Sequence, residues 1–201
     1  MDKTQTMTAL KRIKVSRVSS TLSRLRKDKG NTWRNSDSLL MKLFIDQIRD
    51  IYWAEEHLMD AYHMMMKRSN SKALLQLFAK HLKETEWHAD RLIRVFNMTG
   101  KNVSTKRCEA MAGIIAKQAE IAAGTHDDRV TRDIGLILAA QKAEHYEIAT
   151  YGGLIRLAHT FGLDEVAEIL EKTLSEEMET EKQLSALAKE EINLAASGEE
   201  E

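Results

Sequence analysis

Proline is absent from all 201 residues of this chain, and only nine residues are glycine. Proline interrupts helices because it lacks a backbone N–H donor and its ring clashes with the preceding turn. An all-β domain needs frequent Gly and Pro turns with many aromatic residues, whereas aromatic residues make up only 5% of this chain. The abundance of Ala, Leu, Glu, Lys and Met therefore predicts an all-α protein.

The length, cysteine content and hydropathy limit the class of protein further. At 201 residues the chain is long enough for one full-sized core. Its single cysteine, Cys108, permits no internal disulfide, which is typical of the reducing cytoplasm. No apolar run approaches the roughly 20 residues of a membrane-spanning helix, and the first 25 residues lack the apolar segment of a signal peptide. We therefore expect a cytoplasmic protein with no transmembrane segment.

Charge is distributed unevenly along the chain. Residues 1–34 hold ten Lys or Arg against two Asp, a net charge of +8, whereas the remainder holds 20 basic and 29 acidic residues, a net charge of −9. This division predicts a basic, flexible N-terminal arm on an acidic body. Such an arm is either a solvated tail or a binding element for DNA or an anionic membrane surface. Its composition is also that of a mitochondrial-type presequence.

Four long helices are predicted in residues 35–195, because apolar residues recur there at three- and four-residue spacing. The first predicted helix begins after Ser38 and ends near Ser69. The other three cover residues 72–97, 128–159 and 164–195. A connection of about 30 residues between the second and third carries a short helix near residues 108–123. This layout indicates a ferritin-like four-helix bundle with one long crossover. Residues 196–201 are expected to form a frayed acidic tail.

The apolar stripe of every long helix is interrupted by acidic residues. Glu55 and Glu144 each lie singly in a stripe, while Glu84 with His88, and Glu177 with Glu181, form pairs about 40° apart around their helices. A buried ionised carboxylate costs several kcal/mol unless it is paired or bound to metal. Several carboxylates converging in one core are therefore expected either to bind cations or to form partly exposed salt bridges with Lys or Arg.

Carboxylate and imidazole are ligands that iron and manganese accept. Di-iron bundles use one Glu from each of two helices and a Glu-x-x-His pair from each of the others. The pairs here are spaced four apart, and the last pair has Glu where His is usual. We predict two Fe or Mn ions held by a candidate set of Glu55, Glu84, His88, Glu144, Glu147, Glu177 and Glu181. Within that set, Glu147 is either a fifth carboxylate ligand or a surface residue. Two further histidines outside the set, His81 and His145, are more typical of hydrogen-bonded core residues.

Several strings of this sequence resemble one known family over about residues 38–190. They are IRDIYWAEEHL at 48–58, HLKETE at 81–86, KRCEAMAGII at 106–115 and AAQKAEHYEIATYG at 139–152. The chain resembles the YciE/YciF family of bacterial ferritin-like stress proteins, which are relatives of rubrerythrin. The resemblance implies a bundle with an extra crossover helix, a dimer, a di-metal centre and a role in stress responses. The resemblance also implies that the metal ligands include Glu55, Glu84, Glu144 and Glu177. Position 88 varies in the family, so the resemblance does not assign His88 as a ligand.

Two functions are consistent with these observations. The first is a redox-active di-metal protein that oxidises Fe²⁺ or removes peroxide. An electron donor, if one is used, must be a separate protein, because a rubredoxin module requires four cysteines and the chain has one. The second is a non-enzymatic, stress-induced helical bundle that binds DNA or another acidic partner through residues 1–34.

Overall fold

The computed structural model describes residues 38–125 and 127–198, and for residues 191–198 it describes the backbone only. Within these residues there are five helices and no strand, which confirms the all-α class. The helices are α1 Leu39–Arg68, α2 Lys72–Met98, α3 Glu109–Gly124, α4 Arg129–Phe161 and α5 Asp164–Gly198. The predicted arm at 1–34 lies outside the described residues. Helix α5 continues to Gly198, into the segment expected to be a frayed tail, and residues 199–201 are outside the description.

Short polar residues begin four of the helices, and at the start of α1 the Ser38 hydroxyl accepts from the backbone N–H of Met41. Ser71 and Asp128 accept hydrogen bonds from first-turn backbone N–H groups of α2 and α4, which satisfies donors that a helix start leaves unpaired. Cys108 does the same for α3 with its Sγ, so this buried thiol caps a helix in addition to packing. Helix α4 stops at Gly162, whose φ of 71° is in the left-handed region that favours glycine.

The four long helices pack around one core. Helix α4 lies along α5, and α2 also lies along α5. Aromatic pairs connect α1 to its neighbours: the ring centroids of Phe44 and Phe161 are 5.6 Å apart, and those of Tyr62 and Phe78 are also 5.6 Å apart. Helix α3 lies in the crossover from α2 to α4 and packs against α4. This is the predicted ferritin-like four-helix bundle with one crossover helix.

The crossover helix approaches α4 closely at one glycine. A Cβ added to Gly135 would lie 2.5 Å from Cγ2 of Ile121 on α3, closer than carbon atoms normally approach. The missing side chain of Gly135 therefore sets the distance between the two helices at this point.

A buried carboxylate connects the start of α4 to the turn between α1 and α2. Asp133 accepts hydrogen bonds from the backbone N–H of Asn70 at 3.0 Å and of Ser71 at 2.7 Å. The contact fixes the height of α4 relative to the first two helices, and this height determines which side chains meet in the middle of the bundle. No described helix combines the length and hydropathy that crossing a bilayer requires.

Candidate metal centre

Two groups of acidic and histidine side chains meet inside the bundle. The first group consists of His81, Glu144, Glu147 and Glu177, and the second of Glu55, His88 and Glu177. In each group the potential ligand atoms lie within 4.8 Å of one another. All six side chains are buried, and Glu177 belongs to both groups. The four long helices thus each contribute to one continuous polar centre in an otherwise apolar core.

Helices α1 and α4 supply the same pair of residue types at the same spacing. Glu55 precedes Tyr62 by seven residues on α1, and Glu144 precedes Tyr151 by seven on α4, so each pair occupies one face about two turns apart. The Tyr62 hydroxyl donates to Oε1 of Glu144, and the Tyr151 hydroxyl donates to Oε1 of Glu55, both at 2.5 Å. The second oxygen of each carboxylate, Oε2, is left without a hydrogen-bond partner among the described residues.

Helices α2 and α5 place one carboxylate between two imidazoles. Nδ1 of His88 lies 2.8 Å from Oε1 of Glu177, and Nε2 of His81 lies 3.5 Å from its Oε2. Nε2 of His81 is also 3.3 Å from Oε1 of Glu144. These approaches are close contacts of opposite charge that do not count as hydrogen bonds. Both ring nitrogens therefore remain without a hydrogen-bond partner in the described part of the chain.

The far nitrogens of the two histidines are fixed by other residues. Nε2 of His88 lies 3.0 Å from Oε2 of Glu176, and the guanidinium of Arg91 donates to both oxygens of that carboxylate. Nδ1 of His81 lies 3.1 Å from the Thr180 hydroxyl. A carboxylate or hydroxyl on one ring nitrogen orients the ring and directs the other nitrogen to a metal. Both imidazoles are therefore held with one nitrogen facing the centre.

Charge in the centre shifts the pKa values of its members in both directions. Burial opposes the charged form of His81, but the carboxylates of Glu144 and Glu177 outweigh it and raise the pKa to about 9. Burial likewise opposes a charged His88, yet the charge of Glu55 and the contacts with Glu176 and Glu177 raise its pKa to about 12.

The carboxylates divide into two kinds. Burial and the neighbouring carboxylates raise the pKa values of Glu144 and Glu147 well above the usual range, although His81 opposes the shift at Glu144. Burial also acts to raise the pKa of Glu177, but the flanking His81 and His88 lower it. Without a cation, the core thus favours protons on Glu144 and Glu147 and a charge on Glu177.

Eight buried polar atoms of the centre have no hydrogen-bond partner among the described residues. They are Oε2 of Glu55, Nε2 of His81, Nδ1 of His88, Oε2 of Glu144, and both carboxylate oxygens of Glu147 and Glu177. Native proteins rarely leave buried polar groups unsatisfied, and an ion is one of the usual reasons for an exception. Carboxylate oxygens and imidazole nitrogens form the ligand set of iron or manganese, so the residues present fit such ions.

The centre contains five of the seven candidate ligands from the sequence, namely Glu55, His88, Glu144, Glu147 and Glu177. The structure places the other two outside both groups. Oε1 of Glu84 lies 3.2 Å from Nζ of Lys80, and its Oε2 accepts from the Thr180 hydroxyl at 3.4 Å. Glu181 is partly exposed and accepts from the Ser185 hydroxyl at 2.7 Å and from the Gln141 amide at 3.4 Å. Both carboxylates lie toward the edge of the core, where polar partners from their own or a neighbouring helix satisfy them.

His81 belongs to the centre, although it is absent from the candidate set. It precedes His88 by seven residues, about two helical turns, so both imidazoles lie on one face of α2. That repeat was the usable signal in the sequence. Periodicity alone does not assign it as a ligand, because a single inward histidine is more often a packed, hydrogen-bonded core residue.

The fold and this centre define a class: an all-helical, ferritin-like bundle with a buried carboxylate–histidine core. Residues 40–197 match the family described as a domain of unknown function, DUF892. The chain is 38% identical over 155 residues to protein YciF of Escherichia coli K12. This match covers 77% of this chain and 93% of that protein. The chain belongs to the DUF892 family, in agreement with the YciE/YciF resemblance of its sequence.

Solved structures of similar proteins have the same fold. The crystal structure of the E. coli stress protein YciF superposes with a TM-score of 0.74 at 35% identity, covering 78% of this chain and 98% of that one. YcfI from Rhodopseudomonas palustris gives a TM-score of 0.71 at 33% identity, covering 75% and 96%. A protein from Xanthomonas campestris pv. campestris gives 0.62 at 21% identity, covering 81% and 99%, which shows a shared fold alone.

Proposed function

We propose that this protein is a ferritin-like di-metal carboxylate protein of the stress response, binding two ions of iron or manganese. One ion would take its ligands from Glu55, His88 and Glu177, and the other from His81, Glu144, Glu147 and Glu177. The role in stress is supported by the similarity to YciF, which is described as a stress protein. We further propose that it acts in the cytoplasm as a homodimer.

One observation carries this proposal: the eight unpartnered atoms belong to four carboxylates and two imidazoles that face one another in an apolar core. Burying four carboxylates together is unfavourable because they repel one another and lose hydration. Histidines that bind metal are neutral, so the four carboxylates then carry four negative charges without compensation. A pair of divalent cations would balance that charge and provide partners for all eight atoms at once.

Bound iron or manganese would supply one-electron redox chemistry, which we assign either to oxidation of Fe²⁺ by oxygen or peroxide, or to reduction of peroxide with electrons from a separate protein. The contribution of the chain is to hold and orient the ligands. The Tyr62 and Tyr151 hydroxyls bind one oxygen of Glu144 and of Glu55, which leaves the other oxygen directed into the centre. Burial and the adjacent carboxylates raise the pKa values of both phenols well above 10, so they remain protonated donors.

The test is elemental analysis of protein purified without chelator, compared between the wild type and two variants. We expect about two equivalents of Fe or Mn per chain in the wild type. Glu144→Gln keeps the shape of the side chain but removes its charge, and metal content should fall sharply with an unchanged helical spectrum. Glu181→Gln is the matched control, because Glu181 lies outside both groups, and it should keep its metal.

The unfolding free energy of the metal-free protein distinguishes the loss of a metal ligand from a general loss of stability in the variant. In the metal-free protein, Glu144→Gln should raise the free energy of unfolding by about 1–3 kcal/mol, because the amide is neutral, whereas Glu144 must either take up a proton on folding or bury a charge beside Glu177. Weaker metal binding combined with a more stable apoprotein is the expected pair of results. An apoprotein destabilised by Glu144→Gln, with no response in metal content, would contradict metal ligation at this position.

The alternative function rests on the net charge of +8 in residues 1–34. It is a non-enzymatic bundle that binds DNA or another acidic partner through this arm. Such binding would weaken steeply with salt, because each Lys or Arg contact with a phosphate releases a counterion. Salt-sensitive DNA retention by the full chain, lost on removal of residues 1–34 and accompanied by no bound metal, would support this alternative.

A further inference from the structure

A second cavity lies between α1 and α3, apart from the carboxylate–histidine centre. Its volume is about 440 Å³, within the range of small-molecule sites. Most of its wall is apolar and comes from Trp53, Ala61, Met64, Met65, Ile115, Ala119, Ala122 and Leu136. None of the side chains of the two metal-binding groups lines it. The cavity is therefore a separate feature of the molecule.

One polar side chain in the buried wall has no hydrogen-bond partner in the part of the chain that the structure describes. Gln118 lies one turn from Ile115 and Ala122, on the face of α3 that lines the cavity, and it is only 3% exposed. Neither its Oε1 nor its Nε2 makes a hydrogen bond among the described residues. A buried amide without partners is costly, because it has lost its hydrogen bonds to water and gained none in return. A bound group that accepts from Nε2 and donates to Oε1 would satisfy both atoms.

The charges around the mouth of the cavity do not favour an ion of either sign. Arg68, Arg107 and Asp60 are exposed there, and Arg107 is already paired with Glu109 at 2.9 Å. The Trp53 ring stacks on His57 with centroids 3.7 Å apart and has the Arg107 guanidinium 5.8 Å from its centroid, so these neighbours hold it in the wall. An apolar wall, a buried amide and a mouth of mixed charge together suit a neutral, mainly apolar molecule.

We propose that the cavity between α1 and α3 binds a small, neutral, mainly apolar molecule through a carboxamide-like group that pairs with Gln118. Such a group donates one hydrogen bond and accepts another, and so satisfies both atoms of the Gln118 amide. The apolar body occupies the space beside Trp53, Met64 and Ile115. A cavity of this volume holds a one- or two-ring molecule, whereas a helix from a partner protein is too large for it.

The test compares two probes of nearly equal shape, 2-naphthamide and 2-acetylnaphthalene, by calorimetric titration of the full chain. The first carries an amide that donates and accepts, and the second a methyl ketone that only accepts. We expect 2-naphthamide to bind about two- to tenfold more tightly, which corresponds to one additional hydrogen bond.

Two variants locate the binding site. Gln118→Leu should weaken both probes and abolish the preference, because leucine can neither donate to the carbonyl of either probe nor accept from the amide of 2-naphthamide. Its thermal unfolding should show that the bundle is intact. Ala119→Trp at an exposed position of the rim should weaken the binding of both probes by filling the cavity. Metal content should be the same in both variants as in the wild type.

Three results would overturn the proposal. Absence of binding by either probe would mean that another part of the chain or a second copy covers the cavity. Equal affinity of the two probes for the wild type would mean that a water molecule already satisfies Gln118. A preference that persists in Gln118→Leu would place the binding elsewhere.

Discussion

The hydroxyl of Tyr62 on α1 donates to Oε1 of Glu144 on α4 at 2.5 Å. The reverse contact, from Tyr151 on α4 to Glu55 on α1, has the same length. Each helix therefore offers an acid to its neighbour and a phenol to the neighbour's acid. The two contacts cross-link α1 and α4 through hydrogen bonds at the level of the candidate metal centre.

This relationship predicts the effect of removing one hydroxyl. Tyr62→Phe leaves Glu144 without its one hydrogen bond from a phenol, in a fully buried position. The metal-free protein should lose about 1–3 kcal/mol of unfolding free energy in a urea titration. Metal affinity should also fall, because the carboxylate is no longer held in one orientation. Tyr146→Phe is the control, since Tyr146 contacts Cys108 outside the centre, and it should leave metal affinity unchanged.

The pairing of Glu176 with Arg91 and His88 predicts a positioning role. Glu176 is a member of neither candidate ligand group, but its carboxylate holds Nε2 of His88 and is itself held by the Arg91 guanidinium. Glu176→Gln should weaken metal binding by about 10- to 100-fold, as measured by competition with a chelator. Glu179→Gln changes an exposed residue one turn along α5 and should have no effect. Equal losses in the two variants would indicate a general charge effect and no positioning by Glu176.

The shifted pKa values predict opposite pH dependences for stability and metal binding. Burial would lower the pKa of His81, but Glu144 and Glu177 raise it from 6.5 to about 9 in the folded apoprotein. The folded state therefore keeps a proton that the unfolded chain releases. The resulting stability is complete below about pH 6.5 and disappears as the pH rises through 9. The raised pKa values of Glu144 and Glu147 act with the same sign, with stability lost as the pH rises through them.

Metal ligands must lose these protons, so metal affinity should rise over the pH range in which the apoprotein loses stability. Urea titrations of chelator-treated protein between about pH 6 and 9, paired with metal titrations, measure both trends. In Glu144→Gln the pH slope of stability should be shallower. An apoprotein that becomes more stable toward pH 9 would contradict the protonation states assigned to the centre.

The contact between Gly135 and Ile121 predicts an unfavourable glycine-to-alanine substitution. The Cγ2 of Ile121 branches directly from Cβ and cannot rotate away easily, so Gly135→Ala forces α3 and α4 apart. We expect a loss of about 1–3 kcal/mol in unfolding free energy. Gly153→Ala, on the same helix with open space around its Cβ, should instead stabilise the protein by up to about 1 kcal/mol. Thermal unfolding of the two variants separates the packing effect from helix propensity.

The helix bounds could be predicted closely because capping residues within a few positions determine where each helix begins and ends. The start of α2 at Lys72 and the stop of α4 near Gly162 depend on residues within a few positions, a capping Ser71 and a glycine with positive φ. The crossover layout followed from the lengths of the blocks alone. The close approach at Gly135 could not be predicted, because it depends on the rotation of α3 against α4.

The candidate site was harder to predict than the fold. Periodicity gives the direction of a side chain only to within several tens of degrees, and Glu84 lies close enough to the stripe to share its direction with buried residues. Its carboxylate nevertheless finds Lys80 on its own helix and stays out of the centre. Gln118 cannot be recognised from the sequence either, since an amide next to Lys117 and close to Glu120 has the pattern of a surface residue until the cavity beside it is seen.

Glu177 presents one oxygen toward each imidazole and belongs to both candidate ligand groups. In the proposed centre, the first ion to arrive would draw this carboxylate into place and fix it for the second. The two positions would then share the cost of ordering one side chain and of removing its histidine contacts. Loading would be cooperative, so a sub-stoichiometric sample would contain a mixture of empty and doubly occupied chains, with few chains holding a single ion.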